Sequence, residues 1–127
     1  MAFDIDHLDH LVLTVADLDA TINFYVTVLS MKAVTFDGRR ALKFGEQKIN
    51  LHLFGHEFEP KAAQATPGSA DICFITKDPL EEVTRHLAQL SIKIEKGPVE
   101  KTGAVGKLLS VYFRDPDKNL IEVSNYI

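Results

Sequence analysis

His10 is the first residue in this chain whose type and setting could do chemistry. It stands in Leu8-Asp9-His10-Leu11-Val12-Leu13-Thr14-Val15, where strand alternation puts Leu11, Leu13 and Val15 on one face and His10, Val12 and Thr14 on the other. An imidazole placed this way serves as a metal ligand or a base if other ligand-type groups converge on it. Otherwise it is a satisfied, half-buried side chain. The same alternation groups Asn50 and His52 with Phe54, Asp71 with Cys73, Ser110 and Tyr112 with Arg114, and Glu122 with Leu120 and Ser124. A polar set with aromatic walls suits a ligand cavity. A sheet face left in water gives the same alternation, and both readings stand at this point.

The elements that must position these groups follow in order. Asp17 is an N-cap candidate for a helix with apolar residues at Leu18, Ile22, Tyr25 and Leu29. Strands are expected at 32–35, 40–44 and 48–54, with Asp37-Gly38 as a turn between the first two. Residues 55–69, with Pro60, Pro67 and Gly68, read as a linker. Beyond it come a strand at 71–76, a helix capped by Asp78 with Pro79 in its first turn, and a buried stripe of Leu80, Val83, Leu87 and Leu90. Extended structure resumes at 93–95. Residues 97–106 read as a glycine-containing loop at a cavity edge, 108–113 as a strand, Asp115-Pro116-Asp117 as a turn and 119–124 as the last strand.

The two halves share this order, and they share residues too. Leu29-Ser30-Met31-Lys32 answers Leu90-Ser91-Ile92-Lys93, and the same offset carries Asp17 to Asp78 and His10 to Asp71. If the second half absorbs a longer loop, Ile49-Asn50-Leu51 answers Ile121-Glu122-Val123. Two copies of a unit this long indicate a duplicated supersecondary module rather than a solenoid.

Composition bounds the rest. The chain has 127 residues, 46% hydrophobic and 25% charged, which is ordinary for one globular domain. A net charge of −4 gives no basic footprint for nucleic acid. The single cysteine, Cys73, lies in an apolar run and reads as core or cavity lining. It excludes an intrachain disulfide and fits a reducing compartment. With no apolar stretch of membrane-spanning length and no signal-peptide pattern at the start, the expected location is the cytoplasm. Lys101 to Lys107 lacks the glycine order and the hydroxyl residue of a phosphate loop.

Several segments together resemble the vicinal oxygen chelate superfamily, which includes glyoxalase I, fosfomycin-resistance proteins, bleomycin-binding proteins and extradiol dioxygenases. They are residues 8–18, Asn23-Phe24-Tyr25, Val28-Leu29, Tyr112-Phe113-Arg114-Asp115-Pro116-Asp117 and Asn119-Leu120-Ile121-Glu122-Val123. Segments 47–52, 57–62 and 97–100 are similar to the small proteins called glyoxalase domain-containing protein 5 and their bacterial counterparts. The resemblance implies an α+β fold of two βαβββ modules whose curved mixed sheets surround a cavity. In a single domain, module one would span about 5–55, the linker about 56–69 and module two about 70–127.

The resemblance also implies a metal held by the first and last strands of each module, at positions that fall on His10, Asn50, Asp71 and Glu122. Glyoxalase I enzymes carry a glutamate where Asn50 stands. An asparagine offers a carbonyl oxygen but takes no proton, so glyoxalase I chemistry is not expected through this position. Many metal-binding relatives carry a histidine where Asp71 stands. The expected metal ligands are His10, Asp71 and Glu122, with His52 as a base or replacement ligand and Asn50, Tyr112 and Arg114 toward substrate. Such nitrogen and oxygen donors suit zinc, manganese, iron, nickel or cobalt. The expectation is a metal-dependent lyase, isomerase or addition enzyme acting on a small oxygen-rich molecule, working as a homodimer. The alternative is a metal-free binding protein of the bleomycin-resistance kind.

Overall fold

A computed structural model describes residues 2–127. Its elements run β1 (His10–Val15), α1 (Leu18–Leu29), β2 (Lys32–Phe36), β3 (Arg39–Phe44), β4 (Gln47–Leu53), β5 (Asp71–Ile75), α2 (Leu80–Gln89), β6 (Lys96–Thr102), β7 (Lys107–Arg114) and β8 (Leu120–Tyr126). The chain divides into two compact units at Thr66 and Pro67. Each unit is a βαβββ module with a four-stranded mixed sheet, in the orders β1-β4-β3-β2 and β5-β8-β7-β6.

In the first unit the outer strand β1 runs parallel to β4, while β4, β3 and β2 form an antiparallel meander. Asp37-Gly38 makes the two-residue turn between β2 and β3, both residues having positive φ as a primed hairpin turn requires. The Asp17 side chain caps α1 by accepting the Ala20 N–H at 3.0 Å. The helix buries Thr21, Ile22, Tyr25 and Val28, with Leu18 and Leu29 half-buried at its flanks. Leu13, Val15, Leu42, Ile49 and Leu51 supply the apolar sheet face. Each such side chain contributes about 1.5–3 kcal/mol on burial.

The second unit repeats the plan: β5 is parallel to β8, and β8, β7 and β6 are antiparallel. The repeated serines have a structural meaning, because Ser30 and Ser91 both adopt left-handed φ, 58° and 57°, just after their helices. The following N–H of Met31 or Ile92 then bonds back into the last turn, on Tyr25 or Leu87.

Three expectations for this unit are corrected. Asp78 does not cap α2. Pro79 takes the position before the helix without a side-chain bond, and Asn125 of β8 accepts the Leu80 N–H at 2.9 Å. Residues 97–106 are not one loop: β6 occupies most of that span, and the turn tightens to 103–106, closed by Gly103 N–H on the Gly106 carbonyl. Here β6 is an edge strand with alternating exposure and a bulge between Lys96 and Val99, where Gly97 and Pro98 are tolerated. Of the two readings of Cys73, core or cavity lining, the core one is set aside: the residue is exposed on outer strand β5, its thiol only partly shielded on the face it shares with Glu122.

Candidate functional site

Strand register decides which candidate side chains are neighbours. In the first unit Val12 pairs with Asn50 and Thr14 with His52, while His10 pairs with Lys48, so His10 and Asn50 are diagonal neighbours on one face. In the second unit Cys73 pairs with Glu122 and Asp71 with Leu120, which makes Asp71 and Glu122 the same diagonal. Tyr112 pairs with Glu122, and Arg114 with Leu120, on that face. Each module thus offers one equivalent pair of donors.

The donors are oriented by neighbours. Asp9 Oδ2 lies 2.7 Å from His10 Nδ1, and an Nδ1–H donated to Asp9 leaves Nε2 as the available lone pair, as in metal-ligating histidines backed by carboxylates. The His10 hydrogen bond is the main cause that lowers the Asp9 pKa. Glu122 Oε2 accepts from Ser110 Oγ at 2.7 Å, and Ser110 Oγ lies 2.6 Å from Ser124 Oγ. Both serines are fully buried, so Oε2 is held by Ser110, with Ser124 Oγ a longer 3.4 Å away, and Tyr112 and Cys73 also face the carboxylate. Cys73 Sγ approaches Ser124 Oγ at 3.4 Å, and burial is the first cause raising its thiol pKa.

The Asn50 Oδ1 atom is buried without a hydrogen-bond partner, a costly state for an oxygen with no ligand to satisfy it. The imidazole and unsatisfied amide oxygen of the first unit, and the two carboxylates of the second, are each donor types suited to a borderline divalent metal. Among the described residues no three His, Cys, Asp or Glu side chains gather within ligand range of one another. The fit therefore rests on the donor pair in each module.

Other candidates have defined surroundings. His52 is buried on the first sheet, its ring edge-on to Phe58 at 5.6 Å between centroids, and Arg39 lies over the same Phe58 ring. Arg114 donates through Nε and Nη2 to the Glu95 carboxylate and through Nη1 to the Lys118 carbonyl. It therefore clasps β7 to the segment before β6. Burial first, and the Glu122 carboxylate second, push the Tyr112 phenol up to about 12. Because the folded-state value exceeds the ordinary one near 10, Tyr112 stabilises folding fully below about pH 10, and that contribution is lost as pH rises toward 12. Ultraviolet titration of the parent minus Tyr112→Phe should show the missing phenolate appearing near pH 12; a midpoint at 10 would contradict the environment described.

The sequence pattern of the Glyoxalase/Bleomycin resistance protein/Dioxygenase superfamily matches residues 7–123. The chain belongs to this superfamily. It is 58% identical over 124 residues to Virulence protein STM3117 of Salmonella typhimurium, covering 97% of this chain and 86% of that one. The crystal structure of that virulence protein superposes with a TM-score of 0.97 over 98% of this chain and 100% of that one. The chain is also 56% identical to Glyoxalase domain-containing protein RDO1 of Mycosarcoma maydis, over 94% of this chain and 68% of that one. The fold alone is shared with the fosfomycin-resistance protein FosX of Listeria monocytogenes, solved with Mn(II) and a dihydroxypropylphosphonic acid. That likeness has 20% identity and a TM-score of 0.68, over 98% of this chain and 93% of that one. The superfamily includes metalloenzymes and non-catalytic binding proteins, and among the described residues no helix is long and apolar enough to cross a membrane.

Sequence reasoning missed Asp9 and Ser110 as orienting groups. For Asp9 a signal was available, since it directly precedes His10; for Ser110 only the β7–β8 register shows it.

Proposed function

We propose that this protein is a divalent-metal-dependent lyase, isomerase or addition enzyme acting on a small oxygen-rich molecule. The observation that carries the reading is the pair of oriented donors: His10 backed by Asp9 and Glu122 held by Ser110. In this reading His10 and Glu122 hold the metal, Asp71 adds a carboxylate, and Asn50 Oδ1 meets the ion or a substrate hydroxyl. Modules of two chains in a homodimer complete each site. A bound zinc, manganese, iron, nickel or cobalt ion would supply Lewis acidity toward substrate oxygens.

The remaining roles belong to this chain's residues. Ser110 fixes the carboxylate angle, Asp9 fixes the imidazole tautomer, and the His52 imidazole is the group available to move a proton. Tyr112 stays a neutral hydrogen-bond donor. Asn50 takes no proton, which directs the chemistry away from the glyoxalase I reaction. Within the superfamily we group the chain with the small glyoxalase domain-containing proteins.

The test is elemental analysis of untagged protein purified without chelator, then metal loading of the parent, His10→Ala and Glu122→Ala. Stoichiometric metal in the parent, lost in both variants, is expected. A parent that takes up no divalent ion, with variants that behave like it, would sink the reading. Ser110→Ala should stay folded and bind metal about 10–100-fold more weakly, as orienting partners of metal ligands do when removed.

The second reading is metal-free sequestration of a small molecule. The Asn50 amide favours it, since a neutral side chain stands at a position where catalysis needs a base. Metal-free protein that binds a ligand tightly and returns it unchanged supports this reading, and turnover of the ligand rules it out.

A further inference from the structure

The first sheet carries a charge pattern that the metal-centred reading does not use. Lys32 pairs with Lys43, Lys43 with Lys48, and Lys48 with His10. One row across all four strands is therefore three lysines and an imidazole, on the face that also presents Asn50 and His52. Arg39, paired with Phe36, lies on this face too. None of the four strands contains an Asp or Glu, although the chain as a whole carries 18 acidic against 14 basic residues. Like charges directly opposite one another destabilise a sheet.

Only the β1 end of the row meets an acid among the described residues: Asp9 pairs with His10 and acts on Lys48 through space. Among the described residues, none of the three lysines forms an ion pair; the pairs present use Arg40, Lys61, Arg85 and Arg114 as their Lys or Arg partners. Lys32 and Lys43 are exposed and Lys48 is half-buried. The Lys48 ammonium lies 3.8 Å from the Phe36 ring centroid. A cation–π contact of this kind holds an ammonium in place without cancelling its charge. The diagonal from Lys48 to Phe36 passes Ala41, a methyl-sized residue in a row otherwise occupied by Val34, Asn50 and Val12.

We propose that the Lys32–Lys43–Lys48 row binds the oxyanion groups of the protein's small-molecule ligand, which therefore carries at least two negative charges, as carboxylates or phosphates. The inference rests on the proposed function in taking this face as the ligand-binding one. Adjacent strands lie about 4.8 Å apart, so the three lysines span roughly 10 Å, a reach suited to two oxyanion groups on one small molecule. His10 closes the row at its β1 end, which sets the anionic part of the ligand beside the proposed metal ligand.

Calorimetric titration of metal-free full-length protein with inorganic pyrophosphate and with citrate, at matched ionic strength, tests this and separates phosphate from carboxylate preference. Saturable binding in the millimolar range or tighter is expected for at least one of them, weakened at least about tenfold by Lys43→Met. Lys77→Met, outside the row, should leave it unchanged. Non-saturable binding, or equal weakening by both substitutions, means an adventitious ion only and overturns the proposal. Relief of like-charge opposition should leave the melting temperature of Lys43→Met at or above the parent's; a fall of several degrees would assign the lysines a structural role instead. Metal loading of the same samples separates the two ideas. Metal uptake without saturable anion binding removes the lysine row alone, while anion binding in a protein that takes no metal removes the enzyme reading and leaves the row.

Discussion

Replacing Asp115 with alanine should destabilise the protein by on the order of 4 kcal/mol, since it strands several buried donors at once. Asp115 Oδ1 accepts the N–H groups of Asp117 and Asn119, each at 2.9 Å, and Oδ2 accepts Asn119 Nδ2 at 2.8 Å. Asp115 is 5% exposed and Asn119 1% exposed, so water does not replace the lost acceptor. The turn also ties the module together, because Asn119 Oδ1 accepts the Ala70 N–H at 2.9 Å and Ala70 returns its carbonyl to Leu120 N–H. Those bonds set β5 beside β8, one residue before Asp71 and two before Glu122. Asp115→Asn keeps an acceptor but turns an amide donor toward another, and should lose about half as much. Urea unfolding with an unchanged slope is the measurement. A loss below about 1 kcal/mol for the alanine variant would show that the turn holds without its carboxylate.

Gly97→Ala should cost on the order of 3 kcal/mol or more, through two separate effects. Its φ of 110° is a conformation that L side chains rarely adopt. An added Cβ would also lie 2.3 Å from the Ser110 carbonyl oxygen and 3.0 Å from Val111 Cα, and neither backbone atom can step aside without moving β7. Gly38→Ala isolates the first effect, since its φ is 73° with nothing within 4 Å of the added methyl. That variant should lose only about 1–2 kcal/mol. Because Ser110 holds Glu122, the proposed metal site predicts weaker metal uptake in Gly97→Ala than in Gly38→Ala. Equal melting temperatures for the two variants would contradict the close approach of β6 and β7.

Much of the framework was legible because each step depends on local periodicity. The Asp17 cap and the Asp37-Gly38 turn follow from residue chemistry within a few positions. The duplicated Leu-Ser-apolar-Lys segments align two helix ends that do share a left-handed serine. The repeat also carried His10 to Asp71 and Asn50 to Glu122, and the two parallel pairings, Val12 with Asn50 and Cys73 with Glu122, have that same correspondence. What escaped was non-local. Strand β6 alternates only between half-buried and exposed residues, with Gly97 and Pro98 inside it, so it lacks the apolar signal of a core strand. The cap of α2 comes from Asn125, 45 residues away.

By itself, then, the sequence determined the two βαβββ modules, the faces of their strands and the equivalence of His10 with Asp71 and of Asn50 with Glu122, because alternation and internal repetition are properties of the chain read in order. The tertiary structure decided which donor atoms are held and which are left over. Ser110 reaches Glu122 only because β7 lies against β8 in one register, and Lys32, Lys43, Lys48 and His10 form a row only because four strands, separated in sequence by a helix and two turns, align to the residue. Register is set by burial of the opposite face, where a shift of one residue would turn Leu42, Ile49 and Leu51 away from the core.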